Sequence, residues 1–411
     1  MASPLSVLTH NRDFRNLFVA ELVVFGSDWF VMVPLLVLLP ELTGSGLWGG
    51  LVLAVDTGLI ALLLPLTGTV ADRIDRKKIL VGANIGALLA VLLLQGVRGA
   101  GAGWIALGAI GALAVAKSFY SPAATAALPN VVDAVDLPAA NAASGSAWGT
   151  MAVVGASLGG VLSSAFSPYT CFWVAAVGLA VAAGLEWRIR RPLQAPREHT
   201  EAAPRTWTAI RESLAYIGHR PRVLALVTVK SAVGLGNGVL TVFPLLAGRF
   251  GVGAVGAGLL FGVRGAGALV GPLTMRRVLN HRSWLLPGLA LSMSAYGLAY
   301  MGVAVAPWFP LVLALVFAAH FAGGTNWILS NFALQGEVPD RLRGRVFAAD
   351  LMLATLTISV SQLVVATLVD HVDERILLVG CGAITLVYAV GWALATRGLR
   401  RAPVPAVEER P

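Results

Sequence analysis

The stretch LLFGVRGAGALVG, residues 259–271, sets an arginine in the middle of an apolar, glycine-rich run. The run extends from residue 253 to 275, and a helix of about 20 such residues can cross a hydrocarbon layer. In a water-soluble core, Arg264 would need a buried partner and little else would follow. In a bilayer, a charge at mid-span costs at least about 2.5–3.5 kcal/mol and asks for a functional reason. Composition decides between the two. Of the 411 residues, 57% are hydrophobic and 12% charged, with a mean hydropathy of +0.78, whereas soluble domains carry about 25% charged residues. The chain reads as a polytopic membrane protein.

Twelve runs reach spanning length: 17–39, 47–71, 79–97, 104–127, 144–166, 168–187, 223–247, 253–275, 284–306, 308–334, 346–369 and 376–396. Most are joined by short turns containing Pro, Gly or Asp. The polar, basic stretch between the sixth and seventh divides them six and six. The fold expected is all-α, twelve transmembrane helices in two pseudo-symmetric six-helix bundles, residues 1–188 and 223–398, with a linker at 189–222 and a tail at 399–411. Within the linker, TWTAIRESLAYIGHRP places Trp207, Ile210, Leu214 and Ile217 on one helical face. That is the pattern of a short helix lying on a membrane surface and tethering two halves.

The basic residues set the orientation. With the N-terminus in the cytoplasm, 24 of the 30 Lys and Arg fall in inside segments, 3 in outside loops and 3 within spans. Positive charge collects on the cytoplasmic side, so both termini are expected there, in a cytoplasmic (inner) membrane. The formal charge of +9 is then explained without a nucleic-acid partner. The opening MASPLSVLTHNRDFRN is polar, and no cleavable leader is expected. Cys171 and Cys381 both lie in apolar runs and imply no disulfide framework. His320 has no second ligand at a suitable spacing, so no metal site is expected. GVRGAGALVG lacks the G-K-S/T of a phosphate loop. Without an ATPase motif or a nucleophile elbow, neither an enzyme nor a cofactor is expected, and energy is left to an ion gradient, protons first.

The charges inside the spans are the candidate machinery. Glu21 and Asp28 are seven apart in the first run, two turns along one face. Asp56 lies in the second, Lys117 in the fourth, Lys230 in the seventh and Arg264 in the eighth. At 1.5 Å per residue, Asp28 and Arg264 sit about 15 Å from a helix end, near mid-bilayer. Such groups must face the protein interior or water. Pairing of Lys117 with Asp28 or Asp56 satisfies them, and a carboxylate alternating between an ion pair and a proton is the simplest coupling device. Asp28 is the first choice for that part, then Asp56 and Glu21. Arg264 and Lys230 make the second half basic, which suits an anionic or zwitterionic substrate, although Lys230 could instead snorkel to the cytoplasmic face. His320, Asn326 and Trp327 in the tenth run and Asn237 in the seventh are further binding candidates; as polar groups in spans they could equally hold helices together.

The loop after the second run, GTVADRIDRKK, resembles the loop signature G-x-x-x-D-R-x-G-R-R/K of the major facilitator superfamily, over Gly68, Asp72, Arg73, Arg76 and Lys77, with Asp75 in place of a glycine. NRDFRNLFVAE, SFYSPAATAALPNVV, IRESLAYIGHRPRVLAL and LQGEVPDRLRGRVFAAD, in that order along the chain, resemble its branch of macrolide-efflux and enterobactin-exporter proteins. The resemblance implies that Asp72 faces the start of span 11 near Arg345, with Arg341 and Arg343 adjacent, as a cytoplasmic gate. It also makes Lys117 a variant of a span 4 arginine that handles protons. VVGASLGGVL in span 5 keeps Gly155, Gly159 and Gly160 of an exporter signature but has Ala156 where that signature has proline. The function implied is proton-coupled export of small amphipathic molecules (drugs, antibiotics or siderophore-like metabolites) by alternating access, an antiporter of the multidrug-resistance kind. Lysophospholipid flipping and proton-coupled uptake are the alternatives. The partners expected are a small-molecule substrate, protons and the bilayer, with the chain a monomer.

Overall fold

The computed structural model describes residues 4–99, 101–194, 206–275 and 282–400. Among these, twelve helices have the length and hydropathy of membrane spans: Arg12–Thr43, Leu47–Thr67, Arg76–Gly96, Ala102–Val131, Leu137–Ala165, Pro168–Trp187, Pro221–Arg249, Gly253–Met275, Trp284–Val305, Phe309–Glu337, Leu342–Leu368 and Glu374–Ala395, numbered span 1 to span 12. Every apolar run read from the sequence falls on one of them. Several helices outrun their apolar stretch because polar caps carry them further. Asn11 accepts a hydrogen bond from the Phe14 amide at 2.9 Å and starts span 1 at Arg12. Gly44, at φ 70°, ends the same helix by returning its amide to the Pro40 carbonyl.

The outer surface is apolar. Leu62, Trp104, Val177, Leu291, Phe332 and Val387 are each 61–72% exposed, a surface that water would penalise and lipid tails would not. The innermost helices are the first of each six: 67% of span 1 and 83% of span 7 are buried, against 28–44% elsewhere. In the first half, span 1 packs on spans 5 and 6, span 2 on span 4, and span 3 on spans 4 and 6. In the second half, span 7 packs on spans 11 and 12, and span 9 on spans 10 and 12. Span 8 meets span 10 where Ala268 lies against Gly324. Adding six to each number of the first set yields the second, which is the internal repeat the sequence suggested.

Close packing groups Met1–Glu198 with Phe243–Ala266, and His199–Val242 with Gly267–Pro411, whereas the sequence boundaries keep 243–266 with the second bundle. The cause is a contact of small residues. A β-carbon on Gly160 of span 5 would stand 2.5 Å from the Ala254 carbonyl and 3.0 Å from the Gly258 α-carbon; one on Gly258 would stand 2.6 Å from the Ala156 carbonyl. Backbones approach this closely only where side chains are absent.

Two local features of the second unit differ from expectation. Span 7 is not one continuous helix: residues Asn237–Val242 form a 3₁₀ segment between α-helical pieces. Ser361 of span 11 bridges the break, accepting from the Gly238 amide at 2.9 Å and donating to the Leu235 carbonyl. The linker helix, Thr206–Gly218, buries Ser213 and Ile217 and leaves Leu214 54% exposed, so the inward face is turned from the one read from the sequence. The Tyr216 hydroxyl, donating to the Glu337 carbonyl at 3.2 Å, fixes that turn. The side chains of Trp207 and Ile210 lie outside the described residues.

Candidate substrate and proton site

Spans 1, 2 and 4 of the first unit bring Asp28, Asp56 and Lys117 together. The Lys117 ammonium donates to Asp28 Oδ1 at 2.8 Å, and to Asp56 Oδ1 and Oδ2 at 2.8 and 3.1 Å. All three side chains are largely enclosed. With all three ionised, the group carries one net negative charge, and one added proton makes it neutral. Removing the lysine from such a group would leave two buried charges unmatched, a loss of about 3–5 kcal/mol. Beside it lies a cavity of about 10 Å³ lined by Asp28, Lys117, Asn84 and Tyr120 among apolar walls, the room one water needs. Glu21 does not join this group despite its seven-residue spacing from Asp28; its carboxylate bonds to Ser144 of span 5.

Arg264 sits over two indoles, 5.9 Å from the Trp29 ring and 5.4 Å from the Trp148 ring. Phe261 lies 5.7 Å from Trp29, and Phe243 5.0 Å from Phe261. The negative faces of aromatic rings attract a guanidinium and do so most strongly away from water. These rings contribute to holding a cation at mid-span.

In the second unit, the Lys230 ammonium bonds to Asp350 and, at 2.8 Å, to Asn331 Oδ1, with the Trp327 ring at 5.5 Å. Lys230 is 1% exposed, so it does not snorkel to a surface: the carboxylate of span 11 offers a stronger partner than water would at that depth. His320 is held by the Tyr300 hydroxyl at 2.8 Å and meets the Tyr296 ring edge-on. Asn326 donates to the Leu289 carbonyl and to Ser292, joining spans 9 and 10. Asn237 is buried in the 3₁₀ break, and among the described residues its Oδ1 has no hydrogen-bond partner.

The loop signature is tied to the first unit. Asp75, in the place of a glycine, caps span 3 by accepting from the Lys77 amide at 2.8 Å. Arg76 reaches the carbonyls of Ala126 and Leu193 at 2.7 and 3.2 Å, and Lys77 that of Ile189 at 2.9 Å. Arg73 is exposed. Arg345 pairs with Glu212 of the linker helix at 3.0 Å. The surroundings of Gly68 and the side chains of Asp72 and Arg341 lie outside what the structure describes, and with them the expected Asp72 contact.

Sequence reasoning passed over Glu186, Asn84 and the two tryptophans. Glu186 stands next to last in span 6, where a carboxylate reads as an interfacial group. In the structure it is fully buried and accepts from Asn84 Nδ2 at 2.8 Å.

Two six-helix repeats that enclose ion pairs in an apolar interior are the construction of a secondary transporter. Residues 17–361 match the family model of the Major Facilitator Superfamily, and the chain belongs to that superfamily. It is 24% identical to the enterobactin exporter EntS of Escherichia coli O1:K1 / APEC over 358 residues, 83% of this chain and 82% of that protein. Among solved structures it resembles a POT family transporter in complex with a thioalcohol conjugated peptide (TM-score 0.77, 11% identity, 95% of this chain and 97% of that one). It also resembles a bacterial homologue of the human lysosomal transporter Spinster in an inward-facing, unoccupied conformation (TM-score 0.76, 15% identity, 96% and 98%). The chain is thus a multi-pass membrane transporter.

Proposed function

We propose that the protein exports small amphipathic molecules from the cytoplasm in exchange for protons, acting as a monomer in the inner membrane with both termini inside. The observation that carries this reading is the clamp of Lys117 between Asp28 and Asp56. A group with one net negative charge can take up either a proton or a share of a substrate's positive charge, but it gains little from both at once, and that competition is what antiport requires. Arg264 over its two indoles supplies the complementary element, a cation set among flat apolar rings that suits the anionic end of an aromatic molecule. The similarity to an enterobactin exporter favours the outward direction. Ala156, where the exporter signature has proline, keeps proton-coupled uptake as the second reading.

Proton flux in proteoliposomes of known orientation tests this, with lipophilic cations and catecholate-like anions as matched panels. Efflux of either panel with counter-movement of protons is the expected result, and Asp28→Asn should abolish it while substrate binding survives. Protons moving in the same direction as substrate would mean uptake. Undiminished coupled transport by Asp28→Asn would remove the assignment to that carboxylate.

A further inference from the structure

The first unit holds a second buried carboxylate that the ion-pair group does not use. Glu186 of span 6 is fully enclosed, and its neighbours can be named helix by helix. Span 3 contributes Asn84, whose amide donates to Oε2 at 2.8 Å. Near the same end of span 3, Lys77 spends its ammonium on the Ile189 carbonyl at 2.9 Å. Span 4 contributes Tyr120, 2% exposed, and span 1 contributes Glu21, a second carboxyl group. Span 5 has no ionisable side chain. Among the described residues no cation pairs with Glu186. Oε1 and the Tyr120 hydroxyl are the polar atoms left over once the Asn84 bond is counted, and these two side chains interact with each other.

Burying an ionised carboxylate with one amide donor and another carboxylate nearby costs several kcal/mol. A carboxylic acid in the same place loses that cost and gains an O–H to donate. Asn84 and Tyr120, which flank Glu186, also line the cavity that reaches Asp28 and Lys117. That cavity has room for one water, and Ser27, Asp28, Asn84, Lys117 and Tyr120 are the polar residues set among its otherwise apolar walls.

We propose that Glu186 is a second proton-holding site of this bundle and exchanges its proton with the Asp28–Asp56–Lys117 group through Tyr120 and one cavity water. Glu186 releases a proton to the Tyr120 oxygen, Tyr120 passes its own to the water, and the water passes one to the Asp28 carboxylate. The net change is a carboxylate at Glu186 and an acid at Asp28, with tyrosine and water restored. Asn84 is a positioning residue that fixes the rotamer of Glu186. The inference rests on the proton-coupled reading above and adds a storage site beyond the ion pairs.

Infrared difference spectra of the purified full-length protein between acid and alkaline pH, in light and heavy water, test the storage site without any substrate. A protonated-carboxyl band present in wild type and in Asp28→Asn but missing in Glu186→Gln, which keeps the size and the Asn84 contact, is the expected result. An unchanged band in Glu186→Gln overturns the proposal. Proteoliposomes test the exchange: Tyr120→Phe should keep the band but lose coupled proton flux, while gradient-free substrate counterflow remains. Full flux in Tyr120→Phe overturns the relay, and this variant carries the test should Glu186→Gln fail to fold. Wild-type vesicles with counterflow but no proton flux would sink the coupling reading and the relay together, an outcome distinct from loss of the band.

Discussion

Arg264 shows what a single residue reveals and withholds. Its position in an apolar run marks it as exceptional from the sequence alone. Its seat was not legible, because Trp29 and Trp148 lie in other spans and nothing local announces that two indoles will meet over one guanidinium. If the guanidinium meets the anionic end of substrate, Arg264→Ala should raise the KM for the anionic panel about tenfold, the equivalent of about 1.4 kcal/mol, and leave the cationic panel unchanged. Arg264→Lys should restore little, since an ammonium does not stack on flat rings as a guanidinium does. Equal loss for both panels would make the arginine a structural cation.

At the scale of the helix, the spans were readable because hydropathy acts over about 20 residues and needs no knowledge of partners. The interruption in span 7 was readable only in part. Gly234, Gly236 and Gly238 flank Asn237, a cluster that weakens a helix, but the bridge that stabilises the alternative comes from Ser361, more than a hundred residues later in the chain. Small residues at the contact of spans 5 and 8 were likewise visible, while their registration was not. Gly258→Leu should push these backbones apart and lower thermal stability by about 1–3 kcal/mol, as overpacking does. Gly108→Leu, whose β-carbon meets nothing within 4 Å, is the neutral comparison. Equal melting temperatures would remove the contact from the list of stabilising ones.

For the molecule as a whole, acidity reaches the fold through its edge. His10, in the short helix before span 1, lies 2.9 Å from Asp136, the residue immediately before span 5. The hydrogen bond to that carboxylate raises the imidazole above its ordinary value of 6.5. The charged pair therefore stabilises the folded chain fully below the unfolded value, and the stabilisation is lost as pH climbs through the raised one. The melting temperature should fall as pH rises above the ordinary value of 6.5 and through the raised one, by a margin that His10→Gln removes. An identical decline in His10→Gln would assign the dependence to other groups. The orientation expected from charge is a sum over loops and needs no knowledge of partners, whereas the pairing of Lys230 with Asp350 depends on two helices meeting.

That last pairing also orders the biosynthesis of the chain. Lys117 emerges from the ribosome after both of its carboxylates, Asp28 and Asp56, so span 4 finds its counter-charges waiting. Lys230 precedes Asp350 by 120 residues, about 6–24 s of translation at about 5–20 residues per second. The first half can be sealed while it is being made; the second must shelter a bare ammonium until span 11 arrives.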